Sequence, residues 1–195
     1  MKKCFFVFCL SLFAVSFAKE VTVSVGAGKN WKQKMNPQFS VWLEDSEGNF
    51  VRTLYVTSRA AKKNWIFGPK EGRPESLPVW YGSAGKSEGI DVVTGATPKG
   101  GVVFKTVLED DREYFIKAEF NNSFDYNDTF TKKKSGVNGQ PSVVYGAELT
   151  SDFKGEVKLE FLGTGSVNAG DGNIHKAEGL TTAKDIVQCI TVVCE

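Results

Sequence analysis

The chain has 195 residues, with 24 basic residues against 23 acidic residues and a formal net charge of +1. This balance argues against a nucleic acid or an anionic membrane surface as partner, since both require a concentrated positive face. The basic triplet at residues 132–134 lies among turn formers, so we expect it to lie in a loop. The length suits one domain with a substantial hydrophobic core.

The N-terminus has the pattern of an export signal. Two lysines precede an apolar run over residues 5–17, which is too short to span a bilayer. Ser16 and Ala18 place small residues at the two positions that signal peptidase reads. We therefore predict a cleaved signal peptide at residues 1–18 and a mature domain at 19–195, periplasmic or otherwise extracytoplasmic and not inserted in the membrane. An uncleaved N-terminal anchor is the alternative.

Apolar and polar residues alternate over most of the mature chain, which is typical of strands with one buried face. The clearest inward-facing sets are Phe39, Val41 and Leu43; then Tyr114, Ile116, Ala118 and Phe120; then Val157, Leu159 and Phe161. Further strand candidates lie at residues 21–25, 50–56, 102–108, 142–149 and 186–193.

Turn-forming residues separate these strands, with a hairpin at 45–49 and further connections at 109–111 and 152–155. Helical periodicity is nearly absent, and we expect at most one short helical turn, capped by a threonine, at 181–185. The pattern predicts an all-β, immunoglobulin-like antiparallel β-sandwich. Its long loops are expected to carry any functional site; they cover residues 62–89, 121–141 and 163–179.

The sequence offers few residue patterns that are typical of a catalytic or metal-binding site. The chain has one histidine, His175, and no cysteine or serine in the context of a nucleophile. A zinc site would combine His175 with Cys189 and Cys194 at no recognisable spacing. In an extended tail these cysteines point to opposite faces, too far apart for a disulfide unless the chain folds back. We expect a loop histidine bonded to backbone and a protein that is not an enzyme.

The loop at residues 121–128 is rich in side-chain oxygens. Calcium accepts six to eight oxygens of this kind, although the spacing is not that of an EF-hand. Asn, Asp and Ser also stabilise turns through bonds to nearby backbone. The sequence leaves a structural cation and a self-bonded loop as alternatives.

Several aromatic residues lie outside the alternating strands. Trp31, Trp65, Trp80 and Tyr81 occur in segments rich in Lys, Gly and Pro, whereas Trp42 lies inside a strand. Rings on loops can form a stacking platform for a sugar or a flat cofactor, or they can pack beneath the loops. The first interpretation supports one functional hypothesis, a periplasmic ligand-binding or protein-interaction module with no redox role.

The sequence DVVTGAT at residues 91–97 resembles the D-x-x-[ST]-G-A-[ST] motif of extracytoplasmic flavoproteins. Examples are the flavin-carrying subunits of sodium-pumping NADH–quinone reductases and of the Rnf complexes. In those proteins a separate flavin transferase esterifies the last threonine of the motif to the phosphate of FMN. The resemblance implies covalent FMN on Thr97, with Asp91 as the leading acid and Thr94, Gly95 and Ala96 as the surrounding turn.

This attachment has a chemical logic. The transferase must reach a hydroxyl, so small residues such as Gly95 and Ala96 suit a segment that enters a foreign active site. The flavin would do the redox work while the protein holds and tunes it, and we expect Trp80, Tyr81 or Trp65 to stack on its ring. A plain strand-ending loop, terminated by Pro98, is the alternative.

Segments spread over most of the mature chain resemble a family of predicted periplasmic proteins, domain of unknown function 2271, some of whose members carry a FlgD-like label. These segments are residues 37–44, 50–56, 73–80, 91–100, 122–125, 139–145 and 179–183. The resemblance implies an immunoglobulin-like sandwich of unknown biochemical role. It also implies partners, a flavin transferase and a membrane-bound redox protein, and hence a place in an envelope electron-transfer system.

Overall fold

Two β-sheets pack against each other around the main hydrophobic core. The structure is a computed structural model that describes residues 18–31, 35–61, 72–84, 94–95, 98–109, 111–167, 171–176 and 178–195. The four-stranded sheet has the order β5-β1-β10-β8. Its strands are β1 (Ala18–Ala27), β5 (Val102–Glu109), β8 (Gly155–Lys158) and β10 (Val187–Cys194).

The six-stranded sheet has the order β4-β3-β2-β6-β7-β9. Its strands are β2 (Gln38–Glu44), β3 (Phe50–Thr57), β4 (Thr94–Gly95), β6 (Tyr114–Asn121), β7 (Val143–Leu149) and β9 (Glu160–Thr164). All neighbours are antiparallel except β3 and β4, which pair in parallel over two residues. The all-β sandwich predicted from alternation is confirmed.

The main core forms where the inner faces of the two sheets meet. Phe39, Val41 and Leu43 of β2 are each at most 1% exposed, as their spacing predicts. The alternating set of β6 lies in the same core, and the hairpin at residues 45–49 joins β2 to β3. Burying one apolar face of each sheet is the main driving force for this arrangement.

The prediction of one continuous strand at residues 156–161 is wrong. Residues 156–161 do not form a single strand, because the chain passes from β8 in one sheet to β9 in the other at Leu159. Leu159 is buried and its backbone N–H donates to the carbonyl of Ile190 at 3.0 Å. Beyond this crossing the side chain of Phe161 is 41% exposed, so the prediction that it faces inward is also wrong.

The helical content was underestimated. The turn expected near the C-terminus is present as a 3₁₀ helix at Thr182–Asp185, but Thr181 makes no side-chain capping bond. Two further helices lie in stretches assigned to loops, α1 (Pro78–Ala84) and α2 (Lys132–Ser135). Both are too short to show a helical period, although a proline at the first position is a typical helix start.

Helix α1 covers the outer face of the six-stranded sheet. A second hydrophobic cluster forms there, and it includes Trp42 of β2, Val144 of β7 and Leu77, Val79 and Trp80 at α1. The central strand β2 is therefore buried on both faces. Because α1 covers the outer face of this sheet, polar side chains on that face are also enclosed.

The N-terminal residues 1–17, with nearly all of the predicted signal peptide, lie outside the described residues. The structure describes no helix that is long and apolar enough to cross a membrane. Cys189 and Cys194 both lie in β10 as free thiols, the first exposed and the second buried, as the extended-tail argument predicts.

Candidate functional site

Two residues of the DVVTGAT motif, Thr94 and Gly95, lie at the edge of the six-stranded sheet. The backbone of Thr94 and Gly95 forms β4, which pairs with Val56 and Thr57 at the end of β3. Because β4 is the last strand in the order, its other edge is not covered by a strand of the described sheet. Asp91, Ala96 and Thr97 lie outside the described residues.

The segment that follows the motif, residues 98–101, contacts the hydrophobic core and the end of β1. The indole N–H of Trp31 donates to the carbonyl of Pro98 at 3.1 Å, and Trp31 is 2% exposed. Gly101 has a φ of +73°, and a Cβ there would lie 2.6 Å from the carbonyl oxygen of Val25. Glycine is therefore required at the point where this segment enters β5. Lys99, between these two contacts, is exposed.

The three tryptophans among the described residues do not form a stacking platform. Trp80 is 2% exposed, and its indole N–H donates to Thr53 Oγ1 at 2.9 Å inside the second cluster. Trp31 and Trp42 are also buried, because both faces of the six-stranded sheet are covered. Of the two interpretations of these rings, the structure favours packing beneath the loops for Trp31 and Trp80.

Tyr81 is the half-buried ring of this region. Its ring packs edge-on against Trp80, with centroids 5.0 Å apart. Trp65, the remaining tryptophan proposed for the platform, lies outside the described residues. Of the rings named for flavin stacking, Tyr81 is therefore the one with described, accessible surface.

A buried carboxylate under α1 was missed by sequence reasoning. Glu119 lies on the face of β6 opposite the main core, yet it is fully buried. It accepts hydrogen bonds from Ser142 Oγ at 2.6 Å and from the backbone N–H groups of Trp80 at 2.8 Å and Val79 at 3.2 Å. Burial raises the pKa of Glu119 to about 7, while these three donors oppose the shift. Its contacts are those of a side chain that satisfies the unpaired N–H groups at a helix start.

An open groove of about 620 Å³ lies on the outer face of the same sheet, near the β2–β3 turn. Phe115 and Leu162 form part of its lining, and both lie close to Gly146, where a Cβ would contact them at 2.5 and 2.7 Å. Lys117 crosses the groove to Glu44, with Nζ and Oε2 2.6 Å apart. The lining also includes the carboxylates of Asp45, Glu113 and Glu148.

His175 lies at the surface, as expected of a loop histidine, but its ring contacts a carboxylate and only its main chain pairs with backbone. Its N–H and carbonyl pair with Thr164 at 2.8 and 3.0 Å, and its Nε2 lies 3.1 Å from Asp171 Oδ1. The N–H of Asn173 and the ring of His175 hold the pKa of Asp171 down, to about 2. Among the described residues, no three His, Cys, Asp or Glu side chains are grouped as metal ligands.

The oxygen-rich loop at 121–128 forms a buried network. Asp125, 3% exposed, accepts from Asn30 Nδ2 at 3.0 Å and from Thr182 Oγ1 at 2.7 Å. Asn121 donates to the carbonyls of Asn138 and Gln140. These contacts favour the self-bonded loop over a cation site, since protein donors occupy both carboxylate oxygens of Asp125.

Fold and site together define an all-β sandwich in which two residues of a small-residue motif form the edge strand of one sheet. The sequence profile of the family described as predicted periplasmic protein, domain of unknown function 2271, matches residues 18–123. The chain therefore belongs to this family of predicted periplasmic proteins, and the match contains the whole of the motif. The resembling segments at 139–145 and 179–183 lie beyond it. Searches of curated proteins and of solved structures found no match.

Proposed function

We propose that this protein is an exported, non-enzymatic carrier of FMN, bound covalently to Thr97, in an envelope electron-transfer system. The observation that carries the proposal is the position of the flanks of the motif. Thr94 and Gly95 pair at the sheet edge, and Pro98 is followed by the exposed Lys99. Gly95 at the sheet rim and the exposed Lys99 support access by a transferase without opening of the core.

The attachment requires one group transfer. The hydroxyl oxygen of Thr97 would attack the flavin-side phosphorus of a flavin dinucleotide held by the transferase. A phosphoester bond to Thr97 forms, the pyrophosphate bond breaks, and the nucleoside monophosphate leaves with the hydroxyl proton. No electron is transferred in this step, so the flavin arrives ready for redox work. A covalent link suits an extracytoplasmic protein, because a dissociated cofactor would diffuse away.

Tyr81 is the described side chain best suited to contact the flavin ring. It is half-buried against the edge of Trp80, so part of its surface is available and its position is restrained. Offset stacking on an aromatic ring is a common way to hold a flat cofactor. Trp80 itself is too deeply buried to take this role.

Co-expression of the full chain with a flavin transferase tests the proposal. The wild-type protein should be yellow and heavier by FMN less one water. Thr97→Ala should abolish this mass and leave the β-rich circular dichroism spectrum unchanged. Thr94→Ser is the matched control and should retain the mass, since the motif accepts either hydroxyl at that position. Colourless, unmodified wild-type protein beside a transferase that labels a known target would contradict the proposal.

The groove near the β2–β3 turn favours a second candidate function, that of a ligand-binding module. Such a module would bind through the groove and not through aromatic residues on loops. Its carboxylates outnumber its single lysine, which is already paired with Glu44. Together with the apolar lining, this charge suits an organic cation with an apolar body.

An NMR titration distinguishes this candidate from the flavin carrier. Octylamine should shift the resonances of Phe115 and Leu162 more than octanol, which matches its length without the charge. Equal shifts, or none, would remove the candidate. The result does not depend on whether Thr97 is modified.

A further inference from the structure

We propose that copies of this protein associate head to tail, with the Phe124 loop of one copy seated in the acidic groove of the next. The Phe124 loop is the connection between β6 and β7, residues 122–142, and the groove is the one near the β2–β3 turn. The association rests on the second candidate function, since it names the occupant of that groove, and it does not depend on flavin attachment. Its basis is two complementary surfaces at opposite ends of one chain.

The groove already holds one ammonium group, which belongs to its own lysine. Lys117 Nζ lies 2.6 Å from Glu44 Oε2 and 5.5 Å from the ring centroid of Phe115. A carboxylate beside an aromatic face is a suitable site for an alkylammonium ion. Glu113 and Glu148 also line the groove, are exposed, and make no hydrogen bond or ion pair with another described residue. Two carboxylates are therefore left for cations from outside the chain.

The acidic surface continues beyond the groove. A neighbouring depression shares Asp45 and Glu113 with it and adds the exposed carboxylate of Asp111. Arg112 also lines this depression, but its guanidinium is ion-paired with Glu109 at 2.9 Å. Because the whole chain has a formal net charge of +1, an acidic end requires an excess of positive charge elsewhere on the molecule.

The Phe124 loop presents apolar and positive groups together. Phe124 is 36% exposed and has a φ of +65°, which is unusual for a bulky side chain. Its backbone N–H donates to the carbonyl of Val137 at 2.9 Å, and Val137 is 45% exposed. The three lysines of α2, residues 132–134, precede Val137 by a few positions, are exposed, and form no ion pair with a described residue. Apolar side chains flanked by lysines match a groove with an apolar floor and a rim of carboxylates.

The backbone of this loop is restrained from inside. The buried Asp125 accepts from Asn30 Nδ2 at 3.0 Å, and a Cβ at Gly139 would lie 2.5 Å from the carbonyl oxygen of Asp125. Tyr126 Oη donates to the carbonyl of Gly136 at 2.7 Å. The loop is therefore ordered before binding, which lowers the entropy cost of docking. An exposed ring on a strained backbone is a feature that clusters at binding sites.

The two surfaces cannot meet within one chain. Strand β6 starts beside the groove at Tyr114 and ends at Asn121, where the Phe124 loop begins; β7 returns from Val143 to Leu149 at the groove. A strand of this length separates its ends by about 25 Å. The contact must therefore join two copies through different surfaces, and such a contact builds a ring or an open filament.

Sedimentation velocity of the exported protein, in reducing buffer at low salt, tests this association. The average mass of the wild-type protein should rise past that of a dimer as its concentration increases, and about 0.5 M salt should reverse the rise. Phe124→Asn removes the ring with a residue that tolerates the positive φ, and Glu148→Lys reverses a charge of the groove. Each variant alone should associate at least about tenfold more weakly. Val103→Thr is the control, since Val103 is 67% exposed on β5, and it should associate as wild type does.

An equimolar mixture of Phe124→Asn and Glu148→Lys gives the sharpest result. The first variant keeps an intact groove and the second keeps an intact loop, so the mixture should form a one-to-one dimer and grow no further. Growth beyond a dimer, or no association in the mixture, would overturn the head-to-tail contact. Glu113→Lys replaces Glu148→Lys if that variant does not fold.

The wild-type protein separates this association from the second candidate function. If it stays monomeric at every concentration while octylamine still shifts Phe115 and Leu162, the association is wrong and the groove remains a site for a small cationic ligand. If it stays monomeric and octylamine does not bind, both are wrong.

Discussion

Replacing Glu119 with glutamine should remove a pH dependence of stability that arises from one buried carboxyl. Burial raises the pKa of Glu119 to about 7 from an ordinary value of 4.5, against the opposing hydrogen bonds from Ser142, Trp80 and Val79. The folded state therefore binds the proton more tightly than the unfolded state does. This contribution to stability is fully present below pH 4.5 and is lost as the pH rises through about 7.

The magnitude follows from the interval between the two pKa values. At about 1.4 kcal/mol per pH unit, the interval from 4.5 to about 7 corresponds to about 3 kcal/mol of unfolding free energy. Asp171, whose pKa is lowered to about 2, acts in the opposite sense, but only at much lower pH. The range from pH 5 to pH 8 therefore isolates the effect of Glu119.

Urea denaturation followed by tryptophan fluorescence at pH 5 and pH 8 measures this effect. Relative to Glu119→Gln, the wild-type protein should lose up to about 3 kcal/mol of unfolding free energy between the two pH values. Glu148→Gln is the control, since Glu148 is an exposed carboxylate on the neighbouring strand. If wild type and Glu119→Gln respond equally to pH, or wild type gains stability as pH rises, the reasoning is refuted. In the second case the three hydrogen bonds outweigh the burial of the carboxylate.

The other predictions concern the glycine turn and the two thiols. Gly101→Ala should lower the unfolding free energy by about 1–3 kcal/mol, because the positive φ of Gly101 and the nearby Val25 carbonyl oppose a Cβ. Gly100→Ala is the control, since a Cβ at Gly100 meets nothing within 4 Å. Equal urea midpoints for the two variants would contradict the close contact between Gly101 and Val25. In the mature protein, from which the predicted cleavage removes Cys4 and Cys9, maleimide in native buffer should add one label at the exposed Cys189 and reach the buried Cys194 only in denaturant. Two labels on the mature protein without denaturant would refute the described placement of β10.

Period-two alternation predicted most of the strands because one face of each is buried in the main core. It failed where burial depends on a partner distant in sequence. Alternation in β6 predicts that the side chain of Glu119 is exposed to solvent, yet α1 covers it. Alternation also cannot tell which sheet a strand joins, so the crossing at Leu159 was missed. The start of α1 at Pro78 had a local signal, a proline suited to the first helical position.

The candidate site was only partly predictable from the sequence. The motif around Thr94 and Gly95 is a local pattern, and its neighbourhood was identified from residue types alone. The contact between Trp31 and Pro98 is long-range, so composition gave no indication of it. For the same reason Trp80 appeared to be a loop aromatic, although its indole is bonded to Thr53 inside a packed cluster.

Tandem mass spectrometry of the tryptic peptide covering residues 87–99 tests whether Thr97 carries FMN. The peptide contains the hydroxyls of Ser87, Thr94 and Thr97, so fragmentation distinguishes the three positions. From protein co-expressed with an active flavin transferase, we expect a peptide heavier by FMN less one water, with the added mass on Thr97. An unmodified peptide, or flavin on Ser87 or Thr94 in place of Thr97, would contradict it.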